Sequence, residues 1–282
     1  MPTVAFVGSR PHGRRCFELL ADHPDFDVRT VVAPPPEQPT WWEGSLFERA
    51  TTLGYDPVEF EGMEAVLETD VDYLLAVGRR PELDPALLDH PAVAPLGIRL
   101  SELPRYRGHH PIRHAILNAR EDDYWRYGAT LHLLTPTIET GDVVARQFVP
   151  IEETDTGRRL YERVVDAAVA MFREHLPTLR DGDVHRLATP QSAYGGPRYD
   201  TDRDGLDSER AIDPGSLADA DERTRLAVYD RVRAFDFPPF PPAYTTLSGR
   251  RVQLTVASYA ELVGELPVDE STGSVPSRVV ER

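Results

Sequence analysis

The chain has 282 residues, enough for one large domain and a small one. Its apolar runs are far shorter than a membrane span, and a single cysteine, Cys16, excludes an internal disulfide and a cysteine-based zinc site. The formal net charge is −16 and all 31 basic residues are arginine, which speaks against the basic surface of a nucleic-acid binder and matches the make-up of a salt-adapted protein. High salt screens charge to about 3 Å at 1 M, so a local basic patch could still serve an RNA.

Thr3–Val7 reads as a buried strand and enters directly from the N-terminus, with no basic leader or cleavage site, so a cytoplasmic protein is expected. Gly8-Ser9-Arg10-Pro11-His12-Gly13 then turns into a helix carrying Cys16, Leu19 and Leu20, where Cys16 reads as a small core hydrophobe. Backbone N–H groups at such a helix start can hold a phosphate or carboxylate, but the turn lacks G-x-G-x-x-G, so a nicotinamide dinucleotide is not supported. Val28–Val32 is a second strand, ended by Pro34-Pro35-Pro36. Trp41 and Trp42 open an expected helix to Leu53; they form either an aromatic floor for a ligand or a cap on the sheet edge. Asp56–Phe60 and Val71–Val77 read as strands, the latter with the unbroken apolar run of a sheet covered on both faces. A loop Gly78-Arg79-Arg80-Pro81, a short helix Pro85–Asp89 and a strand Ala92–Ile98 follow.

The next stretch, Ser101-Glu-Leu-Pro-Arg-Tyr-Arg-Gly108, gathers arginines and an aromatic between Pro104 and Gly108, with His109 and His110 behind it. Loops that follow strands in α/β proteins are the usual ligand sites. Helix Pro111–Leu117, strand Tyr127–Leu134, a loop with Glu139 and Asp142, and strand Val143–Val149 come next. A long helix opens at Thr154–Arg158 and is expected to close at Pro177 and Asp181-Gly182, with Leu160, Val164, Ala167, Ala168 and Met171 on one face. Tyr194–Ile212 reads as a polar connecting loop, Leu226–Phe235 as a short helix, and strands around the turn Ser248-Gly249 as a small β-containing module. The alternation predicts an α/β, Rossmann-like open sheet over 1–185, a linker and small module over 186–262, and a disordered tail over 263–282.

Three motifs in order carry a resemblance. Ser101–Gly108 is similar to S-L-L-P-x-Y-R-G; Gly128-Ala-Thr-Leu-His132 with Ile138-Glu-Thr-Gly-Asp-Val143 is similar to G-x-T-x-H followed by D-T-G-D-I; Arg233–Tyr244 is similar to R-A-x-x-x-P-x-P-x-A-Y. Together they resemble the folate-dependent formyltransferases, over about residues 3–256. The resemblance implies 10-formyltetrahydrofolate as co-substrate and direct transfer of its formyl group to an amine. It implies folate contacts from Gly78, Arg79, Arg80, Glu139 and Asp142, and amine-substrate contacts from Ser9, Arg10, Arg107, Gly108 and His109, with no metal.

The family catalyses with asparagine, histidine and aspartate. By count along the motifs those positions fall here on Gly97, Arg99 and Glu139. Arginine stays protonated, so Arg99 can stabilise an oxyanion but not shuttle a proton. Three accounts stay open: an active enzyme with Arg99 paired to Glu139 and His132, His109 or His110 moving the proton; a relative with different chemistry; and a non-catalytic binding homologue. The acidic charge and the Tyr124–His132 run favour an amino sugar on a nucleotide over methionyl-tRNA. A plain nucleotide-binding protein is the reading from outside the family. No membrane partner is expected, and a homodimer is left open.

Overall fold

The structure, a computed structural model, describes residues 1–78, 83–201, 206–217, 220–264 and 266–268. In chain order its elements are β1 (Thr3–Gly8), α1 (Arg10–Ala21), β2 (Asp27–Ala33), α2 (Leu46–Thr52), β3 (Val58–Glu59), β4 (Tyr73–Val77), α3 (Pro85–Asp89), β5 (Ala94–Arg99), β6 (Tyr106–Gly108), α4 (Pro111–Ala119), β7 (Arg126–Leu133) and β8 (Val143–Pro150). They continue as α5 (Gly157–Arg180), α6 (Val184–Leu187), β9 (Tyr199–Thr201), α7 (Leu206–Arg210), β10 (Ala211–Ile212), α8 (Glu222–Phe235), β11 (Ala243–Leu247), β12 (Arg250–Leu254) and α9 (Val256–Val263). The chain forms two compact units, 1–105 with 128–147 and 165–197, and 106–127 with 148–164 and 198–282.

The first unit holds a seven-stranded sheet in the order β3-β2-β1-β4-β5-β7-β8. Strands β3 through β5 are parallel and β7 runs antiparallel to β5. This is the expected α/β, Rossmann-like arrangement. The chain leaves β1 towards β2 and β3, then returns to β4 on the other side, so the sheet's order reverses between β1 and β4. Open α/β sheets bind ligands outside the strand ends at such a reversal. Both faces are covered: Ala5, Val7, Leu74 and Ala76 pack in one cluster with Val66, Leu87 and Leu134. The alternate residues Val4, Phe6, Leu75 and Val77 are equally buried, with Cys16 and Phe17 of α1 also fully buried. Cys16 is free, and burial pushes its thiol far above the usual range, so it is inert core.

Several expectations about elements need correction. The helix expected from Trp41 begins only at Leu46, where the Ser45 side chain accepts the Glu48 N–H at 3.2 Å, and both tryptophans lie in the bend before it. The strand expected over 56–60 is two residues long and passes into a 3₁₀ turn, Phe60–Glu68. Helix α5 runs through Pro177 to Arg180. A proline inside a helix costs about 3 kcal/mol, but here only one turn follows it, and that turn is anchored: Leu176 and Leu179 are buried, and the Tyr73 hydroxyl donates to the Leu179 carbonyl at 2.8 Å.

In the second unit α4 packs against α8. Arg233, fully buried, donates to Asp230 at 2.8 Å and to the carbonyls of Glu152 and Asp155 at 3.1 and 3.2 Å. Arg120 takes the other Asp230 oxygen at 2.8 Å and also holds Glu153. The segment expected as a loop over 194–212 contains β9, α7 and β10; β9 pairs with β6, and the Tyr199 ring stacks on Tyr106 at 5.4 Å. Strands β10, β11 and β12 make a three-stranded sheet, with Ser248 and Gly249 both at positive φ in the β11–β12 turn as a tight hairpin needs. Helix α9 follows, opened by a reciprocal Thr255–Ser258 cap. The tail expected beyond 263 lies mostly outside the described residues. Among the described residues no helix is long and apolar enough to cross a membrane.

Candidate active site

Because β1, β4 and β5 are parallel, Ser9–Arg10, Gly78 and Arg99 all leave the sheet at one edge. Arg99 is the last residue of β5, and its Nε lies 3.0 Å from Oε1 of Glu139. Glu139 is 8% exposed and sits at φ 59°, a left-handed conformation that costs a side-chain-bearing residue about 1–3 kcal/mol. Its loop carries that conformation because it is pinned at many points. The Gln191 side-chain amide donates to the carbonyls of Glu139 at 2.9 Å and Gly141 at 2.7 Å. The Thr140 hydroxyl donates to the Thr137 carbonyl at 2.9 Å, and the Leu133 N–H donates to the Asp142 carbonyl at 2.9 Å. A Cβ on Gly141 would stand 1.9 Å from the Leu133 carbonyl oxygen, so only glycine permits this approach.

Gly97 lies opposite His132 in the β5–β7 register. A Cβ on Gly97 would meet Leu134 Cδ2 at 2.6 Å and His132 Nε2 at 3.4 Å. Any side chain at 97 would therefore require the Leu134 methyl to shift. His132 is buried and its Nδ1 is 2.8 Å from the carbonyl of Leu133. A donated Nδ1–H leaves Nε2 as the basic nitrogen on the Gly97 side.

The first βα turn is as tightly built. The Ser9 N–H donates to the Val77 carbonyl at 3.1 Å, and Gly78, at φ 98°, would bring a Cβ to 2.1 Å from the Ser9 carbonyl oxygen. Arg10 is at φ 64°, and its guanidinium carbon lies 6.0 and 5.8 Å from the ring centres of Trp41 and Trp42. His12, on the first turn of α1, is 2% exposed, and its Nδ1 is buried without a hydrogen-bond partner among the described residues. Burial above all, then the charges of Arg10, Arg15 and Arg99, pushes its pKa down to about 3, so it is neutral at ordinary pH. The sequence motifs pointed neither to His12 nor to Gln191. The glycine after His12, where a Cβ would meet the Val77 carbonyl oxygen at 2.7 Å, was the available hint that the turn packs against β4.

The structure therefore brings Gly97, Arg99, His132, Glu139 and Asp142 together around β5 and the β7–β8 loop, with Ser9, Arg10 and Gly78 at the same sheet edge. Arg79 and Arg80 lie outside the described residues. Arg107 and Gly108, on β6, and the exposed His109 belong to the second unit. There Gly108 is at φ 85° and His110, at φ 54°, opens α4.

A sequence model of the family described as formyl transferase matches residues 52–176, which hold Gly97, Arg99, His132 and Glu139. The methionyl-tRNA formyltransferase of Bacillus licheniformis is 27% identical over 254 residues, covering 88% of this chain and 73% of its own length. A 4-N formyltransferase from Francisella tularensis superposes with a TM-score of 0.70 at 16% identity, over 90% of this chain and 97% of its own. The N-formyltransferase from Helicobacter canadensis, solved with folinic acid and dTDP-3-aminofucose, superposes with a TM-score of 0.65 at 16% identity, over 88% of this chain and 85% of its own. Sequence and fold agree with the three motifs: the chain is similar to the formyltransferases, in sequence over residues 52–176 and in fold over most of its length.

Proposed function

We propose that the chain transfers a formyl group from 10-formyltetrahydrofolate to an amine, and that the amine belongs to an amino sugar carried on a nucleotide. The observation that carries this reading is the Arg99–Glu139 pair at the end of β5, inside the formyl transferase match. The folate supplies the activated formyl group when bound. Arg99, a permanent cation, is placed to take up negative charge developing on the formyl oxygen. Glu139 would accept the proton that the attacking amine sheds and return it to N10 of the leaving tetrahydrofolate as the N10–formyl bond breaks, and His132 lies beside Gly97 through Nε2. Folate contacts are assigned to Gly78, Arg79, Arg80, Glu139 and Asp142. The folinic acid in the Helicobacter canadensis structure supports the donor, and its amino-sugar nucleotide supports the acceptor. Methionyl-tRNA is the competing acceptor, supported by the Bacillus licheniformis relative; the net charge of −16 weighs against it.

A second reading, a homologue that binds without turnover, is favoured by Leu134 filling the space beside Gly97 and by Arg99 and Glu139 engaging each other. Calorimetric titration with 5-formyltetrahydrofolate, a non-reactive donor analogue, tests both. Binding that weakens at least tenfold in Glu139→Ala, followed by formyl transfer to an amino-sugar nucleotide, supports the enzyme. Binding without transfer to any amine supports the second reading, and no binding by folded protein removes both.

A further inference from the structure

We propose that the cleft beside the first βα turn receives the base of a nucleoside diphosphate, and so selects the nucleotide end of the acceptor. The inference rests on the amino-sugar-nucleotide reading above and gives it a place in the molecule. The cleft lies between Ser9 and Arg10 after β1, Pro34–Pro36 after β2, and Trp42 before α2. It is open to solvent and offers about 190 Å³. Sites for whole drug-sized ligands run to roughly 300–1,000 Å³, so this one suits a single ring system and its nearest substituents, not an entire nucleotide sugar.

Its walls have the chemistry of a base site. Proline rings and an indole offer flat apolar surfaces to the faces of a heterocycle, and stacking of this kind tolerates any base. The indole is held in place in advance: the Thr40 hydroxyl donates to the Trp42 carbonyl at 2.8 Å, and Trp41 braces the Trp42 ring edge-on at 5.4 Å and 90°. Preorganisation of this sort saves ordering entropy on binding. Gln38 lines the rim and carries both a donor and an acceptor for a base edge.

The charge beside this cleft fits a diphosphate. Arg10 lines the cleft and stands within cation–π distance of Trp42. The Arg14 guanidinium lies 3.2–3.3 Å from where a Cβ would sit on Gly44, another lining residue. Arg14 is only loosely neutralised, because its neighbour Glu18, 4.0 Å away, is bonded instead to Arg49 at 2.8 Å. The acidic Glu48 at the cleft and the chain's −16 charge disfavour a longer polyanion, so a small nucleotide fits better than an RNA end. The sheet places the cleft at the same edge as Arg99, so a sugar linked to the diphosphate extends towards the Arg99–Glu139 pair.

The test uses the full chain and its own fluorescence. Trp42 lines the cleft with Trp41 packed against it, while the third tryptophan, Trp125, is 4% exposed in the other unit. The protein is titrated with uridine, thymidine and guanosine 5′-diphosphates, with the parent nucleosides, with inorganic pyrophosphate, with a CCA-ended oligoribonucleotide, and separately with 5-formyltetrahydrofolate. At least one nucleoside diphosphate is expected to quench tryptophan emission and to bind at least tenfold more tightly than pyrophosphate. Trp42→Ala should weaken it at least tenfold, and Arg10→Ala should weaken the diphosphate while leaving the parent nucleoside within about twofold. Circular dichroism and thermal melting check that both variants are folded. Folate binding without any nucleotide binding overturns the cleft and spares the donor reading; nucleotide binding without folate binding does the reverse. Nucleotide binding indifferent to Trp42→Ala, or binding of the oligoribonucleotide alone, also overturns the cleft as a nucleotide site.

Discussion

Replacing Gly97 with asparagine supplies the side chain that the motif resemblance implies at this position, and the structure predicts that it will fit only if Leu134 moves. Gly97 lies between Ala76 of β4 and His132 of β7, in the middle of the sheet. Its new Cβ would stand 2.6 Å from Leu134 Cδ2, a distance real Cβ atoms do not adopt, and the amide would reach further. Leu134 is 6% exposed and packed in the core cluster with Ala76 and Leu74, so it has little room to yield. Overpacking of this kind costs about 1–3 kcal/mol, and removing a strand glycine returns roughly 0.5–1 kcal/mol of backbone entropy. Gly97→Asn should therefore destabilise by about 0–2.5 kcal/mol. Leu134→Ala alone should cost about 2–5 kcal/mol through its cavity. In the double variant the amide occupies the vacated volume, so the two costs should fall short of their sum by about 1–3 kcal/mol. Urea unfolding of the four proteins, read as midpoint shifts at constant slope, measures the cycle. Additivity within about 0.5 kcal/mol would refute the packing argument.

Three further outcomes follow from other residues. His12 has its folded pKa pushed down to about 3, below the ordinary value near 6.5, so its unfolded form binds the proton first; stability is full above about pH 6.5 and falls towards pH 3 by up to about 1.4 kcal/mol per pH unit. Urea midpoints at pH 5 and pH 7 should move less in His12→Leu than in the parent, and equal shifts in both would count against His12. Gln191→Ala leaves the Glu139 and Gly141 carbonyls without their amide donor, about 1–3 kcal/mol for each buried group, and should speed amide exchange over residues 135–142; unchanged exchange would show that the loop does not depend on it. Arg233→Ala strips the buried Asp230 of one partner and should cost about 3–5 kcal/mol by thermal melting, whereas a loss under about 1 kcal/mol would mean that Arg120 alone satisfies that carboxylate.

The sheet was legible because its signals are dense and local. Val4, Phe6, Leu75 and Val77 belong to unbroken apolar runs, and a strand buried on both faces can show nothing else. The start of α3 at Pro85 was legible because proline is suited to a first helical turn, and the structure adds the cap, Asp84 accepting from the Ala86 N–H. What stayed hidden depended on partners distant in sequence. Three-residue β9 has no periodicity of its own and exists because it pairs with β6, about ninety positions earlier. The helix through Pro177 survives because Tyr73, 106 residues away, holds its last turn. The candidate site divides the same way. Arg99 and Glu139 could be located by counting along motifs, and their contact could be posed as a question, but Gln191 carries no local mark of the loop it holds 50 residues earlier.

The substitutions around β5 make physical sense only in pairs. With histidine at 99 and aspartate at 139, neither a permanent cation nor the longer carboxylate would be present; here arginine and glutamate meet at 3.0 Å, and either alone would leave a charge at the sheet edge with its nearest counter-ion gone. With asparagine at 97, Leu134 could not keep its present position; with glycine there, Leu134 Cδ2 packs against the bare strand backbone. Each pair is self-consistent, and each is broken by reverting one member. If the site works by the same reaction as its relatives, it does so from a second stable arrangement of the same strand and loop, and single reversions towards the family residues should lower stability before they change chemistry. A variant carrying Gly97→Asn with Leu134→Ala, and Arg99→His with Glu139→Asp, is the smallest change that moves both pairs together.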